Sequence, residues 1–303
     1  MTGLRVILAT DGSTGSDDAL SMLIASFKPT GIAEIEVLAV VPQATRWPAP
    51  GREDHGPILI IDAAHRAAAE ATVAAGVGRL EKARFRAWGT VLTGHPAETI
   101  VLHATGERAD LVVVGTRKLG ALRGRVVGSV SSKVARYAQT SVLVAQAADP
   151  IRRNVVGNDA SPCADLALDL VARLPLRHAE LVTVCTVYES VAPLASGIAP
   201  TMVAQVHAAY QADLDEARAA AEAVAADGAR RLNVRGVLAE QRFIHGTPHD
   251  HLAIAASESS ADLVVVGSRG LSGIKRFFLG STSAALVAHP PTSVLVARAR
   301  QEA

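Results

Sequence analysis

The chain has 303 residues, 49% of them hydrophobic and 19% charged, with a formal net charge of +1. Such a balance excludes a disordered chain, which carries fewer apolar residues and a larger charge imbalance. It also gives no electrostatic basis for binding a nucleic-acid backbone or an acidic membrane, so neither is expected as a partner. No run approaches the roughly 18 apolar residues of a transmembrane helix. The N-terminus enters the strand-like Leu4 to Ala9 without the features of a leader. The cytoplasm is the expected compartment. Cys163 and Cys185 are too few for a disulfide scaffold and are expected to be small buried residues.

In chain order, Leu4 to Thr10 reads as a strand and Ser16 to Phe27 as a helix. Ile35 to Val41 reads as a strand, Pro42 to Pro57 as a loop, and the Ala-rich Asp62 to Ala83 as a helix. Arg86 to Thr93 (strand), Pro96 to Glu107 (helix), Leu111 to Gly115 (strand), Gly128 to Ala138 (helix) and Val142 to Ala145 (strand) follow. The pattern then repeats. Residues Ala109 to Gly115 and Ala261 to Gly267 both read ADLVVVG, and Thr140 to Ala145 and Thr292 to Ala297 both read TSVLVA. Between Ala109–Ala147 and Ala261–Ala299, 19 of 39 positions are identical, which marks a duplication. Val6 to Ser13 matches Asn154 to Ser161 more loosely, with the offset changed from 152 to 148. Four net residues are therefore inserted in the second copy, near Val191 to Thr201. Two domains result, 1–147 and 151–300, joined at Gln146 to Arg153. Strands such as Leu111 to Val114 lack polar alternation, as expected when helices cover both faces. Alternating strands and helices of this kind predict an α/β fold of two tandem doubly wound parallel sheets.

In an open parallel sheet, ligands bind beyond the carboxyl ends of the strands, where strand order reverses. After the fourth strand of copy two comes a glycine-rich loop, Gly267 to Gly273, and then Gly280-Ser281-Thr282-Ser283 opening a helix. Glycines admit a phosphate to backbone N–H groups, and a helix N-terminus adds positive potential. Arg269 and Lys275 add cations. The histidines His245, His249 and His251 flank Asp250, but residues two apart on a helix do not share a face, so a metal site is not expected. Asp213 to Ala226 reads as a packed helix with its charges outward.

The spacing Gly-x2-Gly-x9-Gly-Ser, filled by Gly267, Gly270, Gly280 and Ser281, resembles the ATP-binding signature of the universal stress protein family. The opening Asp-Gly-Ser at Asp11 and Asp-Ala-Ser at Asp159, with the closing Thr-Ser-Val-Leu-Val runs, extend that resemblance along essentially the whole chain. It implies a Rossmann-like five-stranded sheet in each half, of order 3-2-1-4-5. It implies ATP, with Mg²⁺ or Mn²⁺ bridging its phosphates. Asp11 and Asp159 would meet the nucleoside, and the backbones of Val40 and Val187 would read the base. Gly267, Arg269, Gly270, Gly280, Ser281, Thr282 and Ser283 would hold the phosphates in copy two. In copy one Gly115, Gly128, Ser129, Val130 and Ser131 match, but Lys118 replaces the second glycine. The second site is therefore expected to bind more tightly.

No dedicated water-positioning base or arginine finger is legible beside the phosphate loop. The expectation is an ATP-binding stress or regulatory protein, with at most slow ATPase activity. Its nucleotide would order the loop Leu271 to Leu279 and change the surface met by an unidentified regulatory protein. A slow ATPase and a nucleotide-free scaffold are the alternatives. The short apolar strands Val142 to Val144 and Val294 to Val296 are expected to pair edge to edge within the chain, with a homodimer also possible.

Overall fold

The computed structural model describes residues 3–42, 56–118, 125–190, 200–270 and 279–299. The first half runs β1 (Leu4–Thr10), α1 (Thr14–Ser26), β2 (Ile32–Pro42), α2 (Gly56–Lys82), β3 (Ala87–Gly94), α3 (Pro96–Gly106) and β4 (Leu111–Gly115). A two-stranded ribbon, β5 (Arg117–Lys118) with β6 (Arg125–Val126), precedes α4 (Ser129–Tyr137) and β7 (Ser141–Ala145). The second half repeats the plan as β8 (Arg153–Gly157), α5 (Pro162–Arg173), β9 (Leu181–Tyr188), α6 (Val203–Val234), β10 (Ala239–His245), α7 (Pro248–Glu258), β11 (Leu263–Gly267), α8 (Ser281–Ala288) and β12 (Ser293–Ala297). Every strand and helix expected of the first half forms, with ends displaced by a few residues. The expected helix Asp213 to Ala226 is the middle of the longer α6. The predicted loop at 43–55, the inserted stretch at 191–199 and the loop at 271–278, with Lys275, lie outside the described residues.

Both halves adopt the expected strand order, and they share one sheet. Its order is β10-β9-β8-β11-β12-β7-β4-β1-β2-β3. All neighbours within a half are parallel. The single antiparallel seam of this sheet joins β12 to β7, pairing Val294 with Val144, Leu295 with Leu143 and Val296 with Val142. The chain thus satisfies the edge of each five-stranded unit with the edge of the other. Ser141 and Ser293 reinforce the seam: their hydroxyls accept from the backbone N–H of Arg298 (3.1 Å) and Gln146 (3.1 Å), each from the opposite half.

Alternate residues of each strand enter opposite cores. On β4, Leu111 and Val113 belong to the core that also holds Leu20 of α1, Leu80 of α2, Leu168 of α5 and Leu232 of α6. Val112 and Val114 belong to the opposite core, with Ile100 of α3, Val134 of α4, Leu252 of α7 and Leu286 of α8. Both cores cross the seam, and this two-sided burial explains why the sequence shows apolar runs rather than alternation. Cys185 is buried as expected, whereas Cys163 is half-buried. Among the described residues, no helix is long and apolar enough to cross a membrane.

Candidate functional site

The strand order reverses at β1, between β2 and β4, and again at β8, between β9 and β11. A cavity opens at the carboxyl ends of the strands in each half. In the first half it measures about 620 Å³ and gathers Asp11, Val40, Gly115, Gly128, Val130 and Ser131. In the second it measures about 130 Å³ and gathers Asp159, Val187, Gly267, Arg269, Gly270 and Gly280 through Ser283. All the expected residues of the second half therefore meet, and six of the seven first-half candidates whose side chains are described. Ser129 does not line the first cavity, and Lys118 is placed only as part of β5.

The aspartates are held identically. Asp11 Oδ1 accepts from the Ser13 backbone N–H (3.0 Å), and Asp159 Oδ1 from that of Ser161 (3.0 Å). Each makes a tight side-chain turn just before a helix. The following serine caps that helix, with Ser13 Oγ accepting from Ser16 N–H and Ser161 Oγ from Ala164 N–H. Burial, the largest influence on Asp11, pushes its carboxyl up, but the hydrogen bonds from Ser13 and Ser16 outweigh it and hold the group below the usual aspartate value. Asp11 is therefore an anion at neutral pH, able to accept from hydroxyls in the cavity. The residue between Asp and Ser has positive φ in both halves, +74° at Gly12 and +60° at Ala160.

Opposite these turns stand the N-termini of α4 and α8. Their caps are Gly128 and Gly280, which have no side chain to bond the first-turn N–H groups. An anion is the natural partner for such open donors. Ser131 and Ser283 contribute differently from their expected role. Each hydroxyl donates to the carbonyl of the strand-end glycine, Ser131 to Gly115 (2.5 Å) and Ser283 to Gly267 (2.6 Å). Those bonds pin the helix to the strand, and the backbone amides are left for a ligand.

The glycines divide into two kinds. A Cβ on Gly115 would lie 2.1 Å from the Gly15 carbonyl oxygen, and one on Gly267 would lie 2.6 Å from that of Cys163. Both glycines are required by the packing of strand against helix. Gly270 is of the other kind: its Cβ would lie 2.5 Å from Asp159 Oδ2, the end of a side chain that lines the pocket and can shift. The loop thus closes onto the aspartate in the second half. In the first, the backbone of Lys118 at the matching position pairs within the β5–β6 ribbon. A second constriction is Asn158, whose Nδ2 donates to the Val224 carbonyl of α6 (3.1 Å); its counterpart Thr10 bonds to Ser16 instead.

Sequence reasoning did not find Asp62, His65 and Thr72, which line the first cavity from α2. Their spacing puts them on one helix face, and that signal was available in the Ala-rich segment. The three histidines around Asp250 go separate ways. His245 meets the Tyr188 ring at 5.2 Å, His249 lies 3.4 Å from Asp250, and His251 Nδ1 is 3.0 Å from the Thr247 carbonyl oxygen. Among the described residues, no group of three or more His, Cys, Asp or Glu side chains is arranged to hold a metal ion.

Comparison with known proteins gives a consistent picture. The sequence model described as "Universal stress protein family" matches residues 4–146 and 150–298. A universal stress protein of Thermus aquaticus is 34% identical over 139 residues, covering 46% of this chain and 96% of that protein. Universal stress protein Rv1996 of Mycobacterium tuberculosis is 27% identical over 330 aligned positions, covering 99% of this chain and 97% of that protein. Among solved structures, a universal stress protein from Archaeoglobus fulgidus superposes with a TM-score of 0.67 at 21% identity, covering 97% of this chain and 98% of that one.

Proposed function

From the premise that the chain belongs to the universal stress protein family, we propose that it is a regulatory stress protein that binds an adenine nucleotide, ATP with Mg²⁺ or Mn²⁺, in the cavity of its first half. One observation carries the reading. A space of about 620 Å³ lies between an anionic Asp11 and the open first-turn amides of α4. That volume suits a drug-sized ligand, for which pockets run from about 300 to 1,000 Å³. The carboxylate is suited to ribose hydroxyls, and the helix terminus to phosphate oxygens. Val40 and Ile100 supply apolar surface for the base. The divalent cation enters on the triphosphate, whose oxygens are the hard ligands it prefers.

The second half carries the fuller glycine signature, but its pocket of about 130 Å³ is too small for a whole nucleotide as it stands. We assign it a weaker site, limited by Gly270 against Asp159 and by Asn158 against α6. This ranking reverses the one the signature alone suggests. Hydrolysis is slow in this reading, because the sequence beside the phosphate loop shows no dedicated water-positioning base or arginine finger. Nucleotide occupancy acts through the surface that a partner protein meets. The test is to denature the purified chain, identify any released nucleotide, and titrate the stripped protein with ATP–Mg²⁺. Saturable binding supports the reading. Absence of both released nucleotide and uptake at millimolar ATP removes it.

A further inference from the structure

Helices α2 and α6 occupy equivalent places, and two features fix their register. Gly76 and Gly228 each allow close packing on a strand, where an added Cβ would lie 3.2 Å from Val37 Cγ1 and 2.9 Å from Val184 Cγ1. Three residues later, Arg79 bonds to Asp17 of α1 and Arg231 to Asp165 of α5. In that register Asp62, His65 and Thr72 correspond to Leu214, Ala217 and Val224. Three polar positions of one half are all apolar in the other.

The polar set is also ordered along the site. Residues 62, 65, 69 and 72 follow i, i+3, i+7, i+10 and so share one face of α2. Thr72 stands at the foot of the cavity, where a Cβ on Gly12 would lie 3.2 Å from its Oγ1. At 1.5 Å per residue, His65 lies about 10 Å and Asp62 about 15 Å farther along the helix. The stripe therefore runs from the Asp11 turn outward, away from the glycines beyond β4 that face α4. Ile61, Val40, Val41 and Pro42 surround its outer end with apolar surface, suited to a flat base.

Resting on the nucleotide reading above, we infer that Asp62 is the element of the first half that selects an amino-purine over an oxo-purine. An ionised carboxylate only accepts hydrogen bonds. Adenine presents an amino donor on its six-membered ring where guanine presents a carbonyl acceptor. With the six-position of the ring turned to Asp62, the adenine amine bonds to the carboxylate, and the guanine oxygen at that position faces a like partial charge with no donor to meet it. His65, a turn nearer Thr72, offers a ring nitrogen at the level of the sugar. The second half, with Leu214 and Ala217, has no counterpart and makes no such choice.

Titration calorimetry of the full chain with ATP and with GTP tests this, using wild type, Asp62→Leu, Asp62→Asn and His65→Ala, with circular dichroism to check folding. Asp62→Leu should lower the ATP-to-GTP affinity ratio about tenfold, the worth of one hydrogen bond to a charged group. Asp62→Asn should raise GTP affinity, because its amide donates to a carbonyl. His65→Ala should weaken both nucleotides together. An unchanged ratio in folded Asp62→Leu and Asp62→Asn overturns the inference but leaves the nucleotide reading standing. A wild type that binds neither nucleotide overturns both.

Discussion

The two halves of the molecule share a fold, a seam and an aspartate turn, yet they enclose cavities of about 620 and 130 Å³. The half with the more complete glycine signature has the smaller space. A short glycine spacing records where backbone approaches backbone or carboxylate as much as where it approaches a phosphate. Gly267 is held against Cys163, and Gly270 against Asp159. The halves also differ outside the signature: Asn158 stands where Thr10 does at the strand end, and Leu214, Ala217 and Val224 stand where Asp62, His65 and Thr72 do on the helix.

The sharpest test of that distinction is the strand-end glycine. Gly115→Ala and Gly267→Ala should each destabilise the fold by about 3 kcal/mol, because the new methyl meets backbone that cannot give way. Chemical denaturation measures this, and the two losses should be similar despite the unequal cavities. If either variant instead keeps full stability and loses only nucleotide, the glycine belongs to the ligand after all.

The seam offers a second comparison, next in size. Arg298 donates to the Ala135 carbonyl at the end of α4 (2.6 Å), while its repeat counterpart Gln146 is buried with neither side-chain amide atom hydrogen-bonded. Arg298→Ala should cost about 2 kcal/mol through lost bonds from a charged donor. Gln146→Leu should be neutral or stabilising, since it removes two unpaired polar atoms from the interior. A loss at Gln146 equal to that at Arg298 would mean the amide has a partner.

The aspartate turns differ only in their middle residue, and the effect is smaller. Ala160 holds a left-handed conformation at φ +60° that costs an L-residue about 1 kcal/mol and costs glycine nothing. Ala160→Gly should therefore raise stability, and Gly12→Ala lower it, each by about that amount in thermal or urea unfolding. Opposite signs at equivalent positions are the signature.

A further effect concerns pH. Burial pushes the Cys185 thiol up to about 11 from an ordinary value of 9.0, against a weaker opposing pull from Arg242. A raised acid favours the folded state fully below its unfolded value and loses that contribution as pH climbs toward the folded one. Stability should therefore decline between pH 9 and 11, and Cys185→Ala should flatten the decline. No change in slope would show that the thiol titrates alike in both states.

Much of this architecture was legible in the chain itself. Apolar runs such as Leu111 to Val114 announce strands covered on both faces, and the 152-residue offset announces the duplication. The edge pairing of Val142 to Val144 with Val294 to Val296 followed from two short apolar edges needing partners. The aspartates and glycines assemble around cavities because their places at strand ends are fixed by topology. What escaped was volume and side-chain commitment. Nothing in the spelling of Ser131 or Ser283 reveals that the hydroxyl bonds a glycine carbonyl. Nothing in Gly270 reveals that a carboxylate lies against it, because that contact joins residues more than a hundred positions apart. Asp62 and His65 lay within a helix recognised by its alanines, and their role depends on a cavity that only the packed structure defines.

Photo-labelling of the intact chain with an azido-adenine nucleotide, followed by peptide mapping, addresses the ligand and the half it occupies together. The account predicts saturable labelling competed by ATP and concentrated on the peptides carrying Val40 to Pro42 and Ile61 to His65. Labelling confined to the peptides around Val187 and Pro248, or none that ATP displaces, would contradict it.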